Sequence, residues 1–328
     1  MDSLFSAWED FKKGKSKKLD VIAFEKDFKN SLQLLYKELK NKTYQHSEYV
    51  SFYVKDPKLR NINKATVKDR VLHHAVFVIL YRIFDKLFIF DSYSSRNEKG
   101  THLAVQRLNE FANKVSRNNT RNCFILKCDI KKFFDSIDQD ILLGLIKRQI
   151  ADENTLWLLE LIIKSFKKGI PLGNVTSQIF ANIYLNELDQ FIKRTLKIKY
   201  YIRYCDDFVI LSEDQHYLES IIPKISKFLQ DYLKLSLHPN KIVMRKYRQG
   251  IDFLGYVSFP YHKIVRVKTK NRIFKKIGVK MADFKDHKIS EDSFNQTLQS
   301  YFGILKHCDS CKLGKQVMNI LLNASICD

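Results

Sequence analysis

The chain has few of the residues that interrupt helices and strands or cross-link them. Its 328 residues include only 10 glycines, 5 prolines and 6 cysteines. So few breakers predict alternating helices and strands with short connections, and no repeat or low-complexity block is present. Six cysteines are too sparse for a disulfide framework and favour a reducing compartment.

Long hydrophobic runs are also missing. No segment approaches the ~18 uninterrupted apolar residues of a membrane span, although 45% of the residues are hydrophobic. We therefore expect a soluble globular protein with one large core or two adjoining ones. The first 20 residues, MDSLFSAWEDFKKGKSKKLD, place acids before bases, which is not the order of a secretory signal. The sequence predicts a cytoplasmic protein without membrane partners.

The sequence also lacks a complete zinc-binding motif. Cys308 and Cys311 form a single CxxC beside His307, and no second CxxC or HxxxH exists to complete a zinc site. We interpret the pair as two thiols on a helix. His73 and His74 are adjacent on a predicted helix and would point about 100° apart, so we do not expect them to share a metal.

Acidic residues are in deficit. The chain has 57 Lys and Arg against 36 Asp and Glu, a formal charge of +21, well above the ~2–8 that keeps a small domain soluble. The excess is spread along the chain and does not form one terminal tail. It favours a folded surface that holds a polyanion, with nucleic acid as the predicted partner; a basic solvated surface is the alternative.

Hydrophobic periodicity predicts an α+β fold with helices packed on one face of a sheet. We expect Thr176 or Ser177 to cap the long central helix. The predicted helices cover residues 24–40, 66–90, 138–149, 153–166, 176–195 and 215–233. The predicted extended segments cover 49–63, 122–129, 199–204, 208–213, 241–245 and 251–257, and a basic hairpin with a small helical unit follows over 257–328.

Three aspartates stand at strand ends. Asp129 ends the strand over 122–129, and Asp206 and Asp207 lie at the turn of the hairpin YIRYCDDFVI. An Asp-Asp pair suits a turn by itself, but buried neighbouring carboxylates repel and need a cation. Such oxygens suit Mg²⁺ or Mn²⁺, which bind through a few carboxylates, water and phosphate. Together with the basic charge, they predict a two-metal site for nucleotide polymerisation.

Several segments, in this order, resemble the successive motifs of bacterial reverse transcriptases. They are VKDRVLHHAVF, DSYSSRNEKGTHLAV, LKCDIKKFFDSID, GIPLGNVTSQIFANIYLNELDQF, RYCDDFVIL and LHPNKIVMRKYRQGIDFLGY. The resemblance covers about residues 50–310. It implies a right-hand polymerase with fingers, a palm carrying an antiparallel sheet, and a small helical thumb. We expect an N-terminal extension and fingers over 1–120, the palm over 121–256 with fingers and palm helices over 138–195, and the thumb over 257–328.

The resemblance also implies roles for individual residues. Asp129, Asp206 and Asp207 match the catalytic metal-binding acids, with Asp206 the principal one of the adjacent pair. Phe134 matches the residue beneath the sugar that selects deoxynucleotides. The remaining implied contacts fall into three sets: Ile130 for metal and dNTP; Arg60, Lys64, Arg70, Leu172, Gly173 and Gln178 for dNTP; and Phe253, Leu254, Gly255 and Tyr256 for the primer and template. The basic stretch KTKNRIFKK (268–276) would belong to the thumb that follows the duplex.

One departure is similar to a particular subfamily. Most reverse transcriptases have Gln before the glycine of this motif and Ser-Pro at its end, whereas this chain has Leu172 before Gly173 and Ser177 before Gln178. That combination resembles reverse transcriptases of diversity-generating retroelements, which are related to group II intron and defence-associated enzymes. The resemblance implies error-prone copying of template adenines, with template RNA, cDNA, dNTPs and a small basic accessory protein as partners. The alternatives are a phage-defence reverse transcriptase and a catalytically silent RNA-binding protein.

Overall fold

The computed structural model describes residues 1–55, 59–309, 314 and 316. Its chain forms two compact units that alternate along the sequence. Unit 1 comprises Met1–Glu98, Cys128–Phe208 and Ser220–Ile242, and unit 2 comprises Lys99–Lys127, Val209–Glu219 and Val243–Asp328. The predicted mixed α+β class with antiparallel sheets is confirmed.

Unit 1 begins with three helices, α1 (Asp2–Lys12), α2 (Leu19–Glu25) and α3 (Phe28–Lys40). The single helix predicted over 24–40 is wrong, because the helix breaks at Lys26 and Asp27. Phe24 and Phe28 have helical spacing, but their rings pack on the buried Trp8 at 5.1 and 5.7 Å from two separate helices. The chain therefore turns around the indole where the spacing alone predicts continuity.

A hairpin and a long helix follow. Strands β1 (Val50–Val54) and β2 (Arg60–Lys64) pair antiparallel, with Phe52 opposite Ile62. Helix α4 (Val67–Phe84) is capped by Thr66, whose hydroxyl accepts a hydrogen bond from the Asp69 N–H. It ends at Phe84 and not near residue 90 as predicted, and a 3₁₀ turn over Asp85–Leu87 follows it. Arg96 holds the chain beyond it by donating to the Asp85 carboxylate at 2.7 Å and the Ile89 carbonyl at 2.7 Å.

Helices α6 (Phe133–Ser136), α7 (Gln139–Lys147), α8 (Glu153–Lys164) and α9 (Val175–Gln190) form the middle of unit 1. Helix α9 is buried on almost every side, so it is a core helix. It continues as a π-helix over Phe191–Thr195. The cap residue of α9 is Asn174, so the prediction of Thr176 or Ser177 is wrong: both lie inside the first turn, and the Ser177 hydroxyl donates to the Pro171 carbonyl at 2.6 Å.

A four-stranded sheet has the order β4-β5-β3-β6. Its strands are β3 (Phe124–Asp129), β4 (Tyr201–Tyr204), β5 (Asp207–Ser212) and β6 (Val243–Lys246). β3 pairs antiparallel with β6, with Leu126 opposite Met244. Helix α10 (Gln215–Leu233) follows β5 and has the predicted bounds. The central strands are almost fully buried, which accounts for their nearly continuous apolar sequence.

Unit 2 contains α5 (Thr101–Val115), a three-stranded sheet and two helices near its end. The sheet consists of β7 (Ile251–Phe253), β8 (Tyr256–Ser258) and β9 (Lys263–Val265). The single strand predicted over 251–257 is wrong, because Leu254 and Gly255 turn the chain with φ of +51° and +90°, the backbone signs of a tight hairpin turn. Helices α11 (Val267–Lys285) and α12 (Glu291–Leu305) follow.

Among the described residues, no helix combines the length and apolar character that crossing a membrane requires.

Candidate active site

Two predicted catalytic acids are brought together at the ends of neighbouring strands. Asp206 lies in the short turn between β4 and β5, where Cys205 has a left-handed backbone with φ of +55°. Asp129 is the last residue of β3, the neighbour of β5 in the sheet. The Ile130 N–H donates to the backbone carbonyl of Asp206 at 3.2 Å. This bond ties the turn to the end of β3.

The electrostatics of the pair favour a cation. Burial raises the pKa of Asp206, and the charge of Asp129 raises it further. The Lys241 ammonium lies 2.7 Å from Asp129 Oδ2 and acts in the opposite direction on the Asp206 pKa. Hence each carboxylate here is more stable when a positive charge is close to it.

The donor set fits a hard divalent ion. Asp129 and Asp206 offer carboxylate oxygens that disfavour each other's charge, and a bound cation removes that cost. Asp207 begins β5. Burial of the Cys128 thiol raises its pKa to about 12, and the charge of Asp207 acts in the same direction. No group of three or more His, Cys, Asp or Glu side chains within the described ranges is arranged to hold a metal. The fit therefore rests on the Asp129 and Asp206 pair, with other oxygens completing the shell.

A buried ion pair supports the hairpin from behind. Arg203 on β4 donates to the Asp189 carboxylate from Nε at 2.7 Å and Nη2 at 2.6 Å, and both side chains are fully buried. Arg203 Nη1 also donates to the Cys205 carbonyl and to Asn182 Oδ1, each at 3.2 Å. The guanidinium thus links helix α9 to the residue before Asp206.

Of the three predicted triphosphate contacts, Arg60 and Lys64 are the first and last residues of β2, and Arg70 lies near the start of α4. Arg60 is exposed at the start of the strand. Lys64 Nζ lies 2.7 Å from Asp20 Oδ2, and Arg70 pairs with the same carboxylate. Arg70 also covers the Phe11 ring at 4.9 Å. An acid of α2 therefore holds two of the three cations.

The predicted sugar-contacting residue lies on α6. Phe134 is half-buried and meets the buried Phe133 ring edge-on at 5.3 Å. Lys132, the residue before α6, has a left-handed backbone with φ of +45°. The short helix therefore follows a sharp change of direction three residues after Asp129.

The Leu172–Gly173 loop is joined to β2. The Asn63 N–H donates to the Leu172 carbonyl at 2.8 Å. Gly173 has φ of +114°, and a Cβ atom there would lie 2.7 Å from Ile62 Cγ2, so this close approach requires glycine. Leu172 is half-buried, and Gln178 is exposed on the first turns of α9.

The predicted primer-contacting residues occupy unit 2. Phe253 and Tyr256 are buried on either side of the turn made by Leu254 and Gly255. The Tyr256 hydroxyl donates to the Ile304 carbonyl at 3.0 Å and contacts His102 Nδ1 at 3.2 Å. These contacts fix the hairpin within its own unit. Of the CxxC pair, Cys311 lies outside the described residues. Cys308 lies in a bend after the end of α12, so its predicted place on a helix is wrong.

Sequence reasoning missed four residues that the structure places at these sites. Lys241 lies inside the motif LHPNKIVMRK, so its position in that motif was the available signal. Asp189 and Arg203 also lie inside motifs, GIPLGNVTSQIFANIYLNELDQF and RYCDDFVIL, but no regular spacing links them to each other. Asp20 lies in no motif, and its partner Arg70 is 50 residues away in sequence. Arg70, for which pairing with Asp69 or a neighbouring acid is the alternative to a triphosphate contact, pairs with Asp20, while Asp69 accepts from Tyr44 and Thr66.

The family comparison agrees with this geometry. Residues 54–258 match the family described as "Reverse transcriptase (RNA-dependent DNA polymerase)". The match covers more than half of the chain. The chain therefore belongs to the reverse transcriptase family, whose members are RNA-directed DNA polymerases and generally use a divalent metal, typically Mg²⁺.

Two curated relatives extend the match. Protein YkfC of Escherichia coli K12 is 25% identical over 283 residues, which cover 73% of this chain and 72% of YkfC. The group II intron-encoded protein LtrA of Lactococcus lactis subsp. cremoris is 23% identical over 300 residues, which cover 69% of this chain and 49% of LtrA. The chain thus spans about half the length of LtrA.

Solved structures show the same fold. The telomerase of Candida albicans, in complex with a TWJ fragment of telomeric RNA, has a TM-score of 0.54 at 13% identity, covering 74% of this chain and 50% of the telomerase chain. The telomerase of Candida tropicalis with the corresponding fragment gives 0.51 at 15% identity, covering 87% and 58%. The predicted right-hand polymerase fold is confirmed.

Proposed function

We propose that this chain synthesises cDNA on a template RNA by transferring deoxynucleotides to a primer end. The observation that carries the proposal is the pairing of Asp129 with Asp206 at adjacent strand ends, where burial and mutual repulsion call for a cation. Membership of the reverse transcriptase family supplies the reaction class. Template RNA, cDNA and dNTPs are the proposed substrates and products.

Asp129 and Asp206 would hold Mg²⁺ or Mn²⁺, with Asp207 and the backbone at Ile130 assisting. A divalent ion at such a site supplies Lewis-acid stabilisation of the charge that develops on phosphate oxygens. The Lys241 ammonium beside Asp129 supplies positive charge to the same carboxylate. Arg203 keeps the Asp206 turn in place through the Cys205 carbonyl.

The proposed substrate contacts lie before, between and after Asp129 and Asp206 in the sequence. Arg60, Lys64 and Arg70 would bind the triphosphate, since guanidinium and ammonium groups suit phosphate oxygens. Phe134 would exclude a ribose 2′-hydroxyl. Phe253 to Tyr256 would contact the primer. The N-terminal extension and fingers would occupy residues 1–120, the palm 121–256 and the thumb 257–328; after residue 309 the structure describes only residues 314 and 316.

The finer proposal is error-prone synthesis in a diversity-generating retroelement, working with a small basic accessory protein. It rests on Leu172, which cannot make the side-chain hydrogen bond available to glutamine. One such bond contributes about 0.5–1.5 kcal/mol, so its loss would relax base selection by roughly a few-fold to tenfold. A phage-defence reverse transcriptase is the alternative setting. A pair of near-identical repeats in the flanking DNA that differ mainly at adenines would establish the retroelement.

Primer extension on an RNA template with labelled dNTPs and Mg²⁺ tests the activity. Asp206→Asn should lower the extension rate at least about a hundredfold, because metal stabilisation contributes several kcal/mol. Asp140→Asn is the matched control, since that side chain is 86% exposed on α7, and it should extend at the unmodified rate. Synthesis that persists in Asp206→Asn would exclude this site.

Fidelity tests the role of Leu172. Leu172→Gln should reduce misincorporation opposite template adenine by roughly a few-fold to tenfold, read by sequencing the products. Leu172→Met keeps an apolar side chain and should retain the original error spectrum. If Gln and Met variants make the same errors as the unmodified chain, Leu172 only packs the helix start.

A further inference from the structure

Three aromatic rings stack in series on unit 1, and none of them is a predicted site residue. Phe191 and Phe228 are nearly parallel, with ring centroids 4.1 Å apart and an interplanar angle of 7°. Phe228 and Tyr232 continue the stack at 5.0 Å and 22°. We call Phe191, Phe228 and Tyr232 the aromatic ladder.

The ladder is built by two elements. Phe228 and Tyr232 are four residues apart on α10 and so share one face of it, while Ile225, Leu229 and Leu233 are buried on the core side. Phe191 opens the π-helix that continues α9, and single π turns in helices are frequent at functional sites. The ladder thus joins α9 to the outer edge of α10.

The ladder ends on an exposed ring. Phe191 and Phe228 are half-buried, whereas 67% of Tyr232 is accessible. Packing between α9 and α10 accounts for the two phenylalanines. Phe228 stacks on Tyr232, and most of the Tyr232 ring stays accessible, so it has room for a further planar group.

The surroundings of the ladder are strongly basic. Residues 187–200 and 224–234 contain three acids, of which Glu187 pairs with Arg148 and Asp189 with Arg203. They contain seven basic residues: Lys193, Arg194, Lys197, Lys199, Lys224, Lys227 and Lys234. Lys193 donates to the Lys199 carbonyl and Lys234 pairs with Asp138. The other five basic side chains are exposed. Lys224 lies one turn before Phe228 on the same helical face.

We propose that the aromatic ladder and its basic rim form a second binding site for a single-stranded polynucleotide, with an unpaired base stacked on Tyr232. Aromatic rings in a positively charged surface bind single strands because every base has a π-face and every linkage has a phosphate. A protein partner is less well matched, since an interface core is depleted of lysine. The ladder shares no residue with the proposed polymerase site, so its binding is tested without activity there.

Photo-cross-linking locates the base. An oligonucleotide of 12 residues carrying one 5-iodouracil, made as RNA in one arm and DNA in the other, is irradiated with the full chain. A primer–template duplex in excess occupies the polymerase site. Cross-links mapped by mass spectrometry should fall on Tyr232, and Phe228 is the next expected position. The stronger arm identifies whether template RNA or product DNA is the ligand. Cross-links that avoid all three rings in both arms would overturn the proposal.

Affinity measures the stacking. Under the same conditions, Tyr232→Ala should weaken binding of the single strand by about fivefold to a hundredfold, the range for loss of one base–aromatic stack. Tyr232→Phe keeps the ring and should bind as the unmodified chain does. Because Tyr232 is largely exposed, both variants should unfold at the unmodified temperature.

Two further outcomes count against the site. Equal binding by the Ala and Phe variants and the unmodified chain contradicts it. Loss of self-association in Tyr232→Ala, seen by light scattering without any change in oligonucleotide affinity, would assign the ladder to a protein interface. A failure of the polymerase assay leaves these binding measurements unaffected, so the two proposals are tested separately.

Discussion

Asp20 is a single carboxylate that holds two of the proposed triphosphate contacts. Burial raises its pKa, but hydrogen bonds from Lys64 and Arg70 outweigh that effect and leave the pKa below its usual range. The carboxylate therefore occupies cations that a dNTP triphosphate would need. Half-exposed pairs of this kind contribute up to about 1 kcal/mol each.

Asp20→Asn should therefore lower the KM for dNTP by about two- to tenfold with little change in kcat. The substitution removes the carboxylate that competes with the triphosphate for Lys64 and Arg70, and it leaves the proposed metal-binding acids unchanged. The measurement is steady-state primer extension over a dNTP series. Asp27→Asn, at an exposed position before α3, is the control. A higher KM in Asp20→Asn would show instead that Asp20 positions the cations for substrate.

His73 couples stability to pH. Burial lowers its pKa to about 3, and the neighbouring His46 contributes in the same direction. The Nε2 atoms of the two rings are 3.2 Å apart. In the unfolded chain a histidine titrates near 6.5, so below that pH the unfolded state binds a proton that the folded state does not. Stability is then present above about pH 6.5 and is lost as the pH falls toward 3.

The expected slope is up to about 1.4 kcal/mol of unfolding free energy per pH unit below 6.5 from His73. Urea unfolding at pH 7.5, 6.0 and 5.0 measures it, and His73→Gln should flatten the dependence between pH 6.0 and 5.0. His216→Gln serves as the control, because that side chain is 93% exposed. Equal slopes in both variants would place the pH dependence elsewhere in the chain.

At the scale of elements, the hairpin that carries Asp206 depends on one buried guanidinium. Arg203 joins Asp189 of α9 to the Cys205 carbonyl, one residue before Asp206. Breaking a buried pair leaves an uncompensated charge and costs about 3–5 kcal/mol. Asp189→Asn should therefore destabilise the whole fold, which thermal unfolding measures.

Arg203→Lys separates positioning from stability. Lysine keeps the charge beside Asp189 but lacks the fork that also reaches Cys205. We expect kcat for primer extension to fall about tenfold or more while KM for dNTP changes little, because a misplaced Asp206 affects the reaction and not ground-state binding. Arg148→Lys, in an exposed pair with Glu187, should change neither. A kcat that follows only the loss of folded protein would make Arg203 purely structural.

The same elements show what local sequence can predict. Helix α10 matches its prediction to the residue because one face is regularly apolar over 19 residues. Periodicity does not predict the break at Lys26 and Asp27, because packing of the flanking rings on Trp8 determines it. It does not predict the turn at Leu254 either, because leucine seldom takes a positive φ. The spacing of apolar residues predicts which face of a helix or strand is buried, whereas tertiary contacts determine where the helix or strand ends.

The candidate site divides in the same way. Asp129 and Asp206 were predictable because strand ends and tight turns leave a sequence signature, and acids placed there are chemically conspicuous. Asp20, Asp189 and Arg203 were not, because an ion pair between distant segments has no spacing. Such supporting residues follow only from the folded chain.

At the scale of the whole molecule, the excess of positive charge should make the affinity for nucleic acid depend on salt concentration. Helix α11 illustrates its arrangement: Thr269, Ile273 and Ile277 are buried, while Lys275 and Lys276 face outward. A basic surface that follows a polynucleotide backbone releases counterions when it binds, so affinity falls linearly with salt on logarithmic axes. Basic residues that merely solvate a surface give no such dependence.

The chain should therefore bind an RNA–DNA hybrid with a Kd that rises steeply with KCl. A footprint of about 6–10 phosphates corresponds to a loss of roughly 10³–10⁵ in affinity between 50 and 200 mM salt. Fluorescence anisotropy of a labelled hybrid measures the slope. Asp206→Asn should bind with the same slope while failing to extend the primer, because long-range attraction depends on the net charge and catalysis on the acid pair. A slope of log affinity against log salt that corresponds to fewer than about three phosphates would contradict this prediction. The +21 charge would then serve mainly to hydrate the surface, and the nucleic-acid contacts would be few and local.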